Sequence, residues 1–402
     1  MKSYKVIDLL EEVMSGEWGQ EPDGENDVKV LRTTNFTNEG SLDLSKEIVT
    51  RSIEKKKVEK KKLQYGDIII EKSGGSPDQP VGRVVYFDIE DNDIYLCNNF
   101  TSILRPNSKK VENKYLLYFL YYQHKIRKVL KYQNKTTGII NLKLDNYLNK
   151  TDIVLPPRKI QQRVVELLDK SYELIEKRKS QIEALDQLTQ SVFLEMFGDP
   201  VLNTKGWKKK KFDYFAKIDT VMIKDFTNYK NSPHIGIENI EKNTGRIINY
   251  QTVAKSNITS GKYLFTDKHI IYSKIRPYLN KVALPNFTGV CSADAYPILV
   301  HEGKISRYFF AYLLRSNAFL NHVSKNSERT NIPKVNKQQL LSFTGICPPF
   351  KLQLEFEEIC IKIESYRKIF EKSLKELENN FNSLMQRVFK GELFIEEKVS
   401  NL

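Results

Sequence analysis

One long segment occurs twice in this chain, and that repeat limits the possible folds more than any other feature. It runs from Pro156 to Gly198 and returns from Pro348 to Gly391. Pro156, Pro157, Lys159, Gln161, Glu166, Lys170, Leu185, Ser191 and Phe197 each recur as the same residue type 192 positions later, with no gap. A repeat of that period means two copies of one plan, each ending in the same element. The element reads as a helix. Pro-Pro suits a helix start, where a missing N–H costs nothing, and about forty residues follow without proline or glycine, dense in Glu, Lys, Leu and Gln.

In the second copy the apolar positions are Leu352, Phe356, Ile359, Ile363, Tyr366, Phe370, Leu374, Leu377, Phe381, Leu384 and Val388. Their spacing alternates four and three, a coiled-coil seam, with one extra four between Phe370 and Leu374 that reads as a stutter. The first copy is looser: Leu168, Tyr172, Ile175, Ile182, Leu185, Leu188, Val192 and Met196. Each helix would run roughly 60 Å, and a single apolar stripe of that length needs a partner. The other copy is the economical one, giving an antiparallel pair. The plainer alternative is that both helices pack into a globular core.

The rest of the chain fits a plan of globular domain, helix, globular domain, helix. The fold class expected is α+β, with two α/β domains separated by two long antiparallel coiled-coil helices in a pseudo-two-fold repeat. The expected boundaries are 1–155, 156–198, 199–347, 348–391 and a tail, 392–402. In the first domain, strands are expected at Val28 to Leu31, Asp67 to Ile70, Gly82 to Phe87 and Phe100 to Leu104, and a helix from about Asn113 to Leu130. In the second, His234 to Ile237, His269 to Tyr272 and a helix from Arg307 to Leu313 answer them in the same order. The lysine run from Lys55 to Lys62 reads as a solvated face or a phosphate-binding one.

A formal charge of +14 favours a polyanionic partner, nucleic acid first and an acidic membrane surface second. No apolar run approaches the length of a membrane span, and the first residues lack a signal peptide's apolar core. Cys97, Cys291, Cys347 and Cys360 are scattered, with no metal spacing; they read as ordinary thiols in a reducing cytoplasm. Gly261-Lys262 is followed by Tyr263, so there is no phosphate-binding P-loop. Cys347-Pro348-Pro349-Phe350 has only the tail of an amino-methyltransferase motif. Pro22-Asp23 and Asp27-Val28-Lys29 are too close together to serve as a nuclease metal site. The five histidines have no partner spacing. The chain reads as a binder, with no catalytic residue, metal site or cofactor of its own.

Exposed loops place basic residues beside amides, hydroxyls and aromatics, the chemistry that meets phosphates and base edges. The candidate DNA-binding residues are Lys72, Ser73, Gly74, Gly75, Arg83, Lys135, Thr136, Thr137 and Asn141 in the first copy. In the second they are Lys274, Arg276, Tyr278, Lys281, Arg329, Thr330 and Asn331. Apolar residues off the helix seam, Val164, Leu167, Leu194, Ile361 and Ile369, are candidates for partner binding.

Leu155-Pro156-Pro157 with Gln161, Phe193-Leu194-Glu195-Met196-Phe197-Gly198-Asp199-Pro200 and Phe389-Lys390-Gly391-Glu392-Leu393 resemble a known family. So do Gly16-Glu17-Trp18-Gly19, Tyr65-Gly66-Asp67-Ile68 and Ser73-Gly74-Gly75. The chain resembles the specificity subunits of type I DNA restriction–modification enzymes over nearly its whole length. The resemblance implies that each globular unit is a target recognition domain reading one half of a split double-stranded DNA site. It implies that the paired helices set the spacing and bind two methylation subunits, which carry S-adenosylmethionine. A motor–nuclease restriction subunit using ATP and Mg would join them, in the cytoplasm and away from any membrane. The alternative class is a non-enzymatic RNA-binding or structural protein with two domains on a coiled coil.

Overall fold

The computed structural model describes residues 2–76, 78–136, 139–324 and 333–394. Both long helices form, at Arg158–Phe197 and Phe350–Phe389, each of forty residues with bounds 192 positions apart. Each begins just past its Pro-Pro. In each, a glutamine fastens the first turn: the Nε2 of Gln161 donates to the Pro156 carbonyl and that of Gln353 to the Pro348 carbonyl, both at 2.8 Å. Their Oε1 atoms accept from the backbone N–H of Glu112 at 2.9 Å and of Ser306 at 3.0 Å. The repeated glutamine therefore ties each helix start to its own globular domain.

The chain divides into two units, Met1–Lys177 with Lys375–Leu402, and Arg178–Leu374. Each therefore holds one globular domain, the start of the helix that follows it and the end of the other.

In the first unit Lys2–Lys5 pairs antiparallel with Asp152–Leu155. A four-stranded antiparallel sheet runs in the order Leu10–Ser15, Thr101–Pro106, Ile68–Glu71, Val84–Tyr86. A three-stranded sheet joins Val49–Ser52, Asp27–Leu31 and Tyr95–Cys97, the last two parallel. The helix Asn113–Lys125 buries every residue from Tyr115 to Gln123. It is covered on one side by the sheet and on the other by the long helices. The Phe389 ring lies 5.4–5.6 Å from those of Tyr115, Phe119 and Tyr122. This helix stops short of the expected Leu130 because Arg127 takes a left-handed φ of 57°. A 3-10 turn, Lys128–Tyr132, follows and seats Val129 against Gly82.

The second unit repeats the plan. Lys209–Lys211 pairs with Thr344–Ile346. The four-stranded order is Ala216–Ile218, Ala295–Val300, His269–Ser273, Val282–Ala283. In the second sheet Pro233–Ile235 and Gly289–Cys291 form the parallel pair. Cys97 and Cys291 occupy the same place, facing Leu31 and Ile235. The helix Arg307–Arg315 is capped by Ser306, whose side chain accepts from the Phe309 N–H. Phe309 and Tyr312 pack against Phe193 and Phe356.

Within the second unit the long helices run antiparallel: Arg178 stacks on Phe370 at 4.9 Å, Asp186 meets Arg367, and Phe193 meets Phe356. The seam differs from the apolar pattern most plainly near Tyr366. Tyr366 is 57% exposed, and Arg367 is buried in its stead. The Arg367 guanidinium donates to Asp186 at 2.7 Å, to Glu364 at 3.1 Å and to the Ile182 carbonyl at 3.4 Å. Asp186 is shared with Arg246, which also binds Glu241 at 2.6 Å and so ties a domain loop to the helices. With Arg367 and Cys360 counted inside, Phe356, Cys360, Ile363, Arg367, Phe370, Leu374, Leu377 and Phe381 alternate four and three without interruption. The expected stutter at Phe370 is absent and comes instead at Phe381 to Met385, where Met385 is buried in place of Leu384. In the first helix Thr189 is likewise inside while Leu188 is 47% exposed.

No described helix is long and apolar enough to cross a membrane.

Candidate nucleic-acid interface

The described part of the loops singled out for DNA lies beyond the strand Ile68–Glu71 in the first domain and beyond His269–Ser273 in the second. Backbone hydrogen bonds establish the correspondence. Glu71 N–H donates to the Arg83 carbonyl and Ser273 N–H to that of Lys281. Leu142 N–H donates to the Lys72 carbonyl and Val335 N–H to that of Lys274. Lys72 therefore matches Lys274, and Arg83 matches Lys281.

In the first unit Lys72, Ser73, Gly74 and Asn141 come together. The two-residue strand Ser73–Gly74 pairs with Ile139–Leu142, and the Ser73 hydroxyl donates to Asn141 Oδ1 at 2.7 Å. Gly75, with φ of 66°, turns the chain where a Cβ would meet Gln79 and Val81 at 2.9 Å, so only glycine fits. The Lys72 ammonium donates to Ser15 Oγ at 2.9 Å, and burial lowers its pKa.

Arg83 is the exception. Its guanidinium makes two bonds to Glu71, at 2.9 and 3.1 Å, and a third to the Thr33 carbonyl at 3.3 Å. Glu71 is only 3% exposed, so this pair braces the loop from inside. Arg83→Ala would strand a buried carboxylate, and a loss of about 3–5 kcal/mol in stability is expected. Thermal unfolding checks it; a variant that melts like the parent would contradict the brace.

In the second unit Lys274 donates to the Ala293 carbonyl at 2.5 Å and lies 4.2 Å from the Tyr296 ring centroid; burial lowers its pKa too. Lys281 donates to the Ile237 carbonyl at 2.7 Å, as Arg83 does to Thr33, but without a carboxylate within bridging distance among the described residues. Arg276 is exposed with a left-handed φ of 49°, at the start of the turn Pro277–Leu279. That turn leaves the Tyr278 ring 59% exposed. Thr137, Arg329, Thr330 and Asn331 lie outside the described residues. Of Lys135 and Thr136 only the backbone is described, in the strand Gln133–Thr136. Reading the sequence missed Ser15, Tyr263 and Tyr296, which surround the two lysines; they come from other strands, and no local signal marks them.

The partner-binding candidates divide similarly. Leu167, Leu194, Ile361 and Ile369 are exposed by 46 to 60%. Val164 is 7% exposed and does not qualify. Near its start the first helix buries Gln161, Val164, Val165 and Leu168, a face wider than a seam. Asp169, one residue on, takes both Lys114 and the Tyr118 hydroxyl of the domain helix. Leu174, Leu354 and Tyr366 are exposed as well, at 53, 40 and 57%. Among the described residues no three His, Cys, Asp or Glu side chains are grouped to hold a metal ion.

Each of the two α/β units holds half-buried cations at a matching loop site. Residues 13–184 match the type I restriction modification DNA specificity domain. The EcoDI specificity subunit of a type I restriction enzyme of Escherichia coli is 34% identical over 200 residues, 49% of this chain and 44% of that one. The MjaVIII specificity subunit of Methanocaldococcus jannaschii is 22% identical over 324 residues, 74% and 73% of the two chains. The chain thus spans less than half the length of its E. coli relative. Among solved structures, the S subunit of a type I restriction–modification system from M. genitalium superposes with a TM-score of 0.55 at 13% identity, covering 96% of each chain. A chain from a type I restriction–modification assembly gives 0.53 at 12%, over 96% and 97%. The chain is thus similar to type I restriction–modification specificity subunits, in sequence over residues 13–184 and in fold along most of its length.

Proposed function

We propose that this chain is the sequence-specific DNA-binding subunit of a type I restriction–modification complex and catalyses nothing itself. Residues 1–155 and 199–347 each read one half of a bipartite DNA site. The helices at 156–198 and 348–391 set the spacing between the halves and bind two methylation subunits. One observation supports this most: the same backbone frame is built twice, yet the side chains at matching loop positions differ. Glu71 answers to Ser273, Ser73 to Ile275, and Arg83, paired with Glu71, to Lys281, which has no ion pair among the described residues. A frame held constant under changed loops is what two readers of different sequences require.

Leu167, Leu194, Ile361 and Ile369 support the partner assignment, since large apolar side chains at that exposure favour being covered. The methylation subunits would bring S-adenosylmethionine, and a motor–nuclease subunit ATP and Mg. Co-expression with the methylation subunit is expected to turn a poorly soluble chain into a soluble complex with two copies of the partner, read by light scattering after gel filtration. A well-behaved monomer that ignores the methylation subunit would count heavily against this reading.

A further inference from the structure

Lys72 and Lys274 are the same residue at the same place in two domains whose other loop side chains have diverged. Each follows the last residue of the matching strand, and each accepts at its carbonyl from a matching N–H, Leu142 or Val335. Each ammonium is half-buried, and no described carboxylate lies within 4 Å of it. Lys61 acts electrostatically on Lys72, and Asp294 and Lys334 act on Lys274; Asp294 is itself paired with Lys334 at 3.6 Å. An ammonium has three donors. Lys72 spends one on Ser15, and Lys274 one on Ala293. The surroundings differ, a hydroxyl in one unit and a carbonyl with two tyrosine rings in the other. The lysine has therefore not been kept merely to satisfy one fixed set of neighbours.

A residue that reads a base should vary between domains that read different bases, whereas one that holds the backbone can stay the same. We propose that Lys72 and Lys274 are the phosphate anchors of the two units, each gripping one DNA backbone phosphate at the corresponding point of its half-site. This rests on the DNA-binding reading above. The partial desolvation of both ammonium groups strengthens the case, because an uncompensated cation in a low-dielectric setting gains most from an anion.

The test uses the full-length chain, purified with any methylation subunits it retains, and random-sequence duplexes titrated across a range of salt. In parallel, preferred sites are selected from a duplex library. Lys72→Gln and Lys274→Gln are each expected to weaken binding by about tenfold, equally for selected and random duplexes. Each should lower the slope of log affinity against log salt by about one, and the double variant by about two, while the selected site stays unchanged. Lys→Arg at either position should restore the slope, and unchanged melting temperatures will separate lost contact from lost fold. Relaxed preference at one base position with an unchanged slope would overturn the proposal, making the lysine a base reader. Unchanged affinity would overturn it as well. If the parent chain selects no sequence, the specificity reading fails, and the salt slope on random duplexes still decides the anchors.

Discussion

Exchanging residues 1–155 for the corresponding domain of a relative is expected to change one half of the methylated site and leave the other half intact. Exchanging 199–347 should do the reverse. Each domain has its own sheets, its own parallel strand pair and its own matching loop site, which is why the exchange is expected to act on one half alone. The effect should be complete, since each mismatched base pair costs about 1–3 kcal/mol and a half-site holds several. The graft must keep what fastens a domain to the helices. In the first domain that means rings at Tyr115, Phe119 and Tyr122 against Phe389, and the bond from Glu112 N–H to Gln161. Sequencing the methylated sites of both hybrids reads the outcome, and a hybrid that altered both halves would end the modular account.

Four residues inserted after Arg178, matched by four after Phe370, are expected to widen the gap between half-sites by one or two base pairs. These two side chains stack on each other in the second unit, so the insertions fall opposite one another across the pair. Four residues add about 6 Å of helix, against roughly 3.4 Å per base pair. The seam turns by about 40°, which the helices can absorb as a stutter, as they already do between Phe381 and Met385. Two residues would turn it by about 200° and carry Arg367 away from Asp186, breaking a buried ion pair. That variant should lose its paired helices, visible in its melting curve. An unchanged gap in the four-residue variant would sink the ruler, and altered half-site bases would mean that the helices help to read DNA.

The repeat was legible because it rests on strong local signals. Pro-Pro, a run free of glycine and proline, and a recurring Gln161 and Gln353 place both helices to within two residues of their observed ends. The matching order of strands and helices in the two domains was legible for the same reason. Arg367 and Thr189 were not, because a search for apolar residues passes over a buried arginine whose partner, Asp186, lies on the other helix. That omission moved the stutter by about ten residues. The pairing of Arg83 was hidden for a related reason. Glu71 and Arg83 are twelve residues apart in sequence and become neighbours only through the register of Ile68–Glu71 on Val84–Tyr86. Loop chemistry alone cannot tell a brace from a contact. Val164 was misplaced because the start of the first helix buries a wide face and not a single seam.

The most direct measurement is the adenine methylome of cells expressing this chain with its methylation subunits and no other such system. The account predicts one split motif: two unrelated half-sites, methylated in both, separated by a gap of fixed length and free sequence. A contiguous motif, or two halves found methylated independently at varying distances, would contradict it.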